Sequence, residues 1–212
     1  GQFKGNGHTI SDLTITGQYS PAGLFGIVEE QGSIESLSVR GIVSVSDAAD
    51  TTTGGIVGIN HGTLINCQFT GVVTGDSEVG GIVGRNESEG TIDHSTARAI
   101  VTGKSSTGGI AGYNLGAITG CTNVGSINTE YQEASLDTDG FTAKMVDQIN
   151  NKIAAADDDA TNSVTNVATD TGGIAGRSSG MILTSVNTGT IGYEHVGYNV
   201  GGIVGRTDGL VS

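Results

Sequence analysis

Four groups of residues in this 212-residue chain have types and spacings that could do chemistry. Arg85, Tyr113, Arg177 and Arg206 each stand five residues after the start of a recurring Gly-Gly-aliphatic phrase, where Ile27 and Ile59 also fall. If the phrase repeats in space, these residues share an outward column. A ladder of guanidinium groups around one phenol could bind an acidic or sugar ligand; the plainer reading is a solvated face that balances an acidic protein. Glu35 and Asp93 fall in a second outward column with Ile65 between them, which places them about 10 Å apart, slightly beyond the roughly 6.5–9.5 Å of inverting glycosidase pairs. Asp93-His94 sets a base beside an acid, but no Lys or Arg cluster accompanies it, and acids scattered along strands are normally solvated. Asp137-Thr138-Asp139-Gly140 is a fragment of a calcium loop, because hard cations want several carboxylate oxygens on a tight glycine turn. The match fails at the closing acid, since Asp139 in the fifth position puts Ser135 first and Val146 twelfth. An acidic turn capping a helix is therefore preferred, with calcium at Asp137 and Asp139 as the alternative. His8, His61 and His195 lack ligand spacing, and no His-Glu-x-x-His helix encodes a zinc peptidase.

The elements that must position these groups follow from the repeat. The phrase begins at 54, 80, 108, 172 and 201, in steps of 26, 28, 64 and 29, with a degenerate copy at Ala22. The 64 is one ordinary step plus an insertion. Ile10, Ile34, Leu64, Ile92, Ile118 and Ile182 are each followed three residues later by Leu13, Leu37, Cys67, Ser95, Cys121 and Ser185. Val43, Val73, Val101, Ile127 and Ile191 form a third column. Strands this short bury nothing alone, but stacked coils can each hydrogen-bond to the coil above and below. The chain is therefore expected to be all-β: a single-domain parallel β-helix over 1–212, right-handed, with three short strands per coil. Five to six turns at about 4.8 Å make a rod on the order of 25–30 Å long. Asn60, Asn86 and Asn114 recur six residues into the phrase and are expected to stack at a corner, in a left-handed conformation or bonded to neighbouring backbone. Cys67 and Cys121 are then two coils apart, roughly 9–10 Å, which exceeds the about 7 Å that a disulfide spans. Two free inward thiols are expected, acting as small apolar residues.

Between Ile127 and Gly172 the pattern stops. Phe141, Met145, Ile149 and Ile153 fall on one face of a helix over 141–156, expected to cover the side of the rod. Residues 130–170 hold nine acidic and two basic residues, a net of −7 out of −13 for the chain. With 22 acidic and 9 basic residues, nucleic acid and anionic membranes are disfavoured as partners. No apolar run approaches the roughly 18 residues of a membrane span. The opening GQFKGNG reads as a start part-way into a longer chain, and Gly201–Ser212 as a stop in mid-coil. A monomer is expected, with end-to-end association through the uncovered edge as an alternative.

Gly23-Leu24-Phe25-Gly26, its Ile-bearing copies, and the second strands around Gly62–Cys67 resemble the bacterial GLUG-motif repeat, and residues 3–15 resemble the segment that leads into such arrays. The resemblance covers nearly everything outside about 130–170. It implies a secreted or surface-attached protein, adhesin-like or a non-catalytic region of an IgA-protease-like enzyme, and carries no catalytic residues across. The function expected is thus a non-enzymatic extracellular stalk, spacer or adhesion module, with a glycan or a host or bacterial surface protein as partner. A polysaccharide-active β-helix, or an accessory region of a large secreted protease, are the alternatives.

Overall fold

A computed structural model describes residues 1–45, 51–129, 170–192 and 199–212, and in them the chain is a parallel β-solenoid of about five turns. Each full turn runs through four sheets. In the turn from Thr52, the strands are Thr52–Gly54, Val57–Asn60, Thr63–Ile65 and Gln68–Thr74. These sheets, called first to fourth in that order, hold five, six, seven and eight strands. The expectation of three strands per coil is corrected to four. Thr52–Gly54 and its copies at Glu78, Ser106, Asp170 and Asn199 were missed because they carry hydroxyls, acids and amides instead of an apolar run.

The phrase itself makes the corner between the first and second sheets. A Cβ on Gly80 would collide with the carbonyl oxygen of Val83, and one on Gly81 with the carbonyl oxygen of Gly109 in the next turn. The first glycine is thus required by the tightness of the corner, and the second by the approach of the adjacent coil. The aliphatic residue that follows points inward, so Ile56, Ile82, Ile110 and Ile174 stack with no exposure. Their backbones join rung to rung, Ile56 N donating to Ile82 O at 2.9 Å and Ile82 N to Ile110 O at 3.1 Å. Each buried side chain of this size contributes about 1.5–3 kcal/mol, and the periodic sequence repeats the gain at every turn.

Ile34, Leu64, Ile92, Ile118 and Ile182 share a column in the third sheet, and Val43, Val73, Val101, Ile127 and Ile191 share one in the fourth. The first copy departs. Phe3 occupies the third-sheet column beside Ile34, while Ile10 pairs with Val39 in the fourth sheet. The spacing of Ile10 and Leu13 mimics the repeat but straddles a register shift, with Asp12 at φ +60°. The corner between the third and fourth sheets holds left-handed residues in each of its six copies: Asn6 with Gly7, then Ser36, Asn66, His94, Gly120 and Thr184. The expected helix over 141–156 and the candidate ligands Asp137 and Asp139 lie outside the described residues.

Candidate functional site

The outward column of the second sheet is built as its spacing predicts. Val57–Asn60, Val83–Asn86, Ala111–Asn114, Ala175–Ser178 and Val204–Thr207 pair in parallel, so Ile27, Ile59, Arg85, Tyr113, Arg177 and Arg206 occupy consecutive rungs. The Arg85 guanidinium lies 5.2 Å from the Tyr113 ring centroid and that of Arg177 lies 5.3 Å from it, one from the rung on each side. Such a cation–aromatic contact is worth about 0.5–1 kcal/mol at an exposed site. The two guanidiniums also cover the ring, which leaves its edge and hydroxyl to meet a ligand. That hydroxyl is 3.3 Å from Ser179 Oγ.

Charge is distributed unevenly along this column. Arg85 donates to Glu78 at 2.9 Å and to Glu87 at 2.7 Å, so one cation is held by two carboxylates. Arg177 and Arg206 have no carboxylate within ion-pair distance among the described residues. The nearby Asp208 carboxyl is held below its ordinary pKa first by a hydrogen bond from Ser179, with the charges of Arg177 and Arg206 adding to the effect. The column is therefore anionic around Arg85 and cationic around Arg206.

Glu35, Ile65 and Asp93 likewise share an outward column of the third sheet, as expected. Asp93 pairs with His94 at 2.9 Å, beside a shallow depression of about 110 Å³ lined in part by Ser36, Asn66, Gln68 and Thr96. The rung of Ile65 separates Glu35 from Asp93, so the two acids do not face one bond. Among the described residues, no group of three or more His, Cys, Asp and Glu side chains could hold a metal ion, and no helix is long and apolar enough to cross a membrane.

Two inward polar columns do structural work that the sequence reading understated. Asn60 Nδ2 donates to Asn86 Oδ1 at 2.8 Å, Asn86 Nδ2 to Asn114 Oδ1 at 2.8 Å, and Asn114 Nδ2 to Ser178 Oγ at 3.1 Å. All four residues are fully buried. They also bond the backbone at the corner, as expected, while the left-handed conformation belongs to the other corner. The Cys67, Ser95, Cys121 and Ser185 column is a corrected case. Cys67 N donates to Ser95 Oγ at 3.1 Å, Ser95 N to Cys121 Sγ at 3.4 Å, and Cys121 N to Ser185 Oγ at 3.2 Å. Sulfur here is an acceptor for a buried N–H of the adjoining coil, which explains why serine alternates with it. Both thiols are free and buried. Burial pushes the Cys67 thiol up to about 11 and the Cys121 thiol up to about 12.

Residues 75–102 match the family described as the GLUG motif. The chain carries a GLUG repeat. The matched segment runs from Gly75 through the Glu78–Gly80, Val83–Asn86 and Thr91–Asp93 strands to Thr102, one complete turn of the solenoid. A protein of Haloquadratum walsbyi named Halomucin is 37% identical over 98 residues, covering 46% of this chain and 1% of that protein. A putative Gly-rich membrane protein of Evansella cellulosilytica is 28% identical over 125 residues, covering 43% of this chain and 14% of its relative. The GLUG-repeat chain thus spans a small part of the length of either relative. No solved structure gives a significant match.

Proposed function

We propose that this GLUG-repeat chain is a non-enzymatic, extracellular segment of a surface protein, serving as a rigid spacer that presents its sheet faces for adhesion. The observation that carries this reading is the continuity of the stack. Four parallel sheets, one aliphatic core and a buried asparagine ladder run through the coils, so the polypeptide is organised as a rod with flat ladder-like sides. Repeat stacks of this kind extend a chain in one dimension and offer long binding surfaces. The partial likeness to Halomucin and to a Gly-rich membrane protein supports a surface setting. The chain's excess of acidic residues favours hydration of an exposed rod.

An antibody raised against this chain should label intact, unpermeabilised cells of the source organism; labelling only after lysis would overturn the surface reading. The isolated chain should release no reducing ends from neutral or uronate polysaccharides. Release that disappears on Asp93→Asn would replace the spacer with a glycan-cleaving enzyme centred on the Asp93–His94 pair.

A further inference from the structure

We propose that Arg177 and Arg206 form an anion-binding step on the second sheet, and that its ligand is a glycan carrying sparse uronate carboxylates. The proposal deepens the surface-module reading and rests on it for the choice of a glycan. The two residues pair in register on adjacent strands, so their side chains leave the sheet about one rung, roughly 4.8 Å, apart. Two like charges at this separation repel unless an anion lies between them. Farther down the same column Arg85, which has no cation on an adjacent rung, is already neutralised by Glu78 and Glu87. At Arg177 and Arg206 no carboxylate lies within ion-pair distance among the described residues, and the neighbouring Asp208, bonded by Ser179 and acted on by both cations, offsets only one of their two charges. A planar carboxylate can accept from both guanidiniums at once, the geometry for which arginine is better suited than lysine.

The surroundings order one side of the step. Arg177 is seated over the Tyr113 ring at 5.3 Å, which orders its guanidinium before any ligand arrives. Arg206, Thr207 and Asp208 are exposed, while Arg177 and Ser179 are half-buried. The hydroxyls of Tyr113 and Ser179, 3.3 Å apart on the Arg177 side of the step, can meet sugar hydroxyls. The net charge of −13 selects against a dense polyanion, whose remaining charges would be repelled by the rest of the rod. A polymer with one carboxylate per disaccharide meets the step without that penalty.

The test is calorimetric titration of the whole chain with hyaluronan oligosaccharides, against neutral chitooligosaccharides of equal length and against heparin. Hyaluronan should bind, and affinity should fall at least tenfold in Arg177→Gln and in Arg206→Gln. Arg85→Gln should change it less than twofold, and raising salt should weaken it. Circular dichroism of each variant should match that of the parent, since these side chains are on the outer face. Unchanged hyaluronan affinity in Arg206→Gln would overturn the site. Equal binding of the neutral oligosaccharide would overturn the role of the carboxylate, and tighter binding of heparin or of poly-glutamate would overturn the sparse-uronate assignment. None of these outcomes bears on surface labelling of cells, so failure here and failure of the spacer reading are separable.

Discussion

Replacing Asn86 with alanine should be among the most damaging conservative changes in the chain, and the structure says by how much. Asn86 is the middle of the inward ladder. Its Oδ1 accepts from Asn60 Nδ2 at 2.8 Å, and its Nδ2 donates to Asn114 Oδ1 at 2.8 Å and to Gly90 O at 3.1 Å. All three asparagines are fully buried, so the groups left behind cannot turn to solvent. Each orphaned buried partner costs about 1–3 kcal/mol, and two side-chain partners are orphaned, which puts the loss at roughly 2–6 kcal/mol. At about 2–4 °C per kcal/mol for a chain of this size, the thermal midpoint should drop by roughly 4–24 °C. Ser178→Ala is the internal control. Its hydroxyl only terminates the ladder, and Asn114 Nδ2 keeps contacts to Gly116 O and Met181 O at 3.3 Å, so about 1 kcal/mol is expected. Thermal melts followed by circular dichroism measure both. An Asn86→Ala midpoint no lower than that of Ser178→Ala would refute the buried ladder.

Other outcomes follow from the same columns. Cys121→Ala should cost about 1–3 kcal/mol because it strips the acceptor from the buried Ser95 N–H, whereas Cys121→Ser should fall well short of that loss; equal losses in denaturant titrations would return the thiol to a purely apolar role. Both thiols ionise more easily in the unfolded chain than in the folded one, so their contribution is intact below about pH 9 and is lost as pH rises toward 11 and 12. Stability of the Cys67→Ser, Cys121→Ser double variant should therefore fall less over that range than stability of the parent, a difference readable from urea midpoints at each pH. The buried hydroxyls of Thr53 and Thr107 have no hydrogen-bond partner among the described residues and flank Val79 in one inward column, so Thr53→Val should stabilise by about 1 kcal/mol, and a destabilisation would place an unseen acceptor beside it. Gly80→Ala drives a methyl group into the Val83 carbonyl at the corner, and a melt at the parent's midpoint would mean that the corner is looser than described.

The columns that were legible in the sequence are those in which one residue type recurs because one physical demand recurs. Ile56, Ile82 and Ile110 repeat because each fills the same space, and Gly80 repeats because each copy meets the same carbonyl. The outward row from Ile27 to Arg206 followed from the register alone, since solvent imposes no common chemistry on it. What stayed hidden depends on neighbours in the next turn. Ser36, Asn66, His94, Gly120 and Thr184 share a left-handed corner but no side-chain type. Asn123 and Asn187 stand in a column that holds Phe69 and Ala97 lower down, and pair with each other at 2.8 Å, a switch from apolar to polar packing that spacing cannot forecast. The acceptor role of Cys67 and Cys121 needs the N–H of an adjacent coil, which no local pattern displays. The site was legible as a row of residues, whereas the capture of Arg85 by Glu78 and Glu87 was not, because Glu78 belongs to the strand that spacing missed.

The central claim is that rungs far apart in sequence are adjacent along one axis, and spin-label distances across the outward second-sheet column test it most directly. Nitroxides paired with one fixed at Ile27 should give separations that grow by about 4.8 Å per rung, near 19 Å for Arg177 and near 24 Å for Arg206. The 64 residues between Tyr113 and Arg177 should add only a single rung. Distances that instead scale with sequence separation, or that shorten from Arg177 to Arg206, would contradict the stack and the facings derived from it.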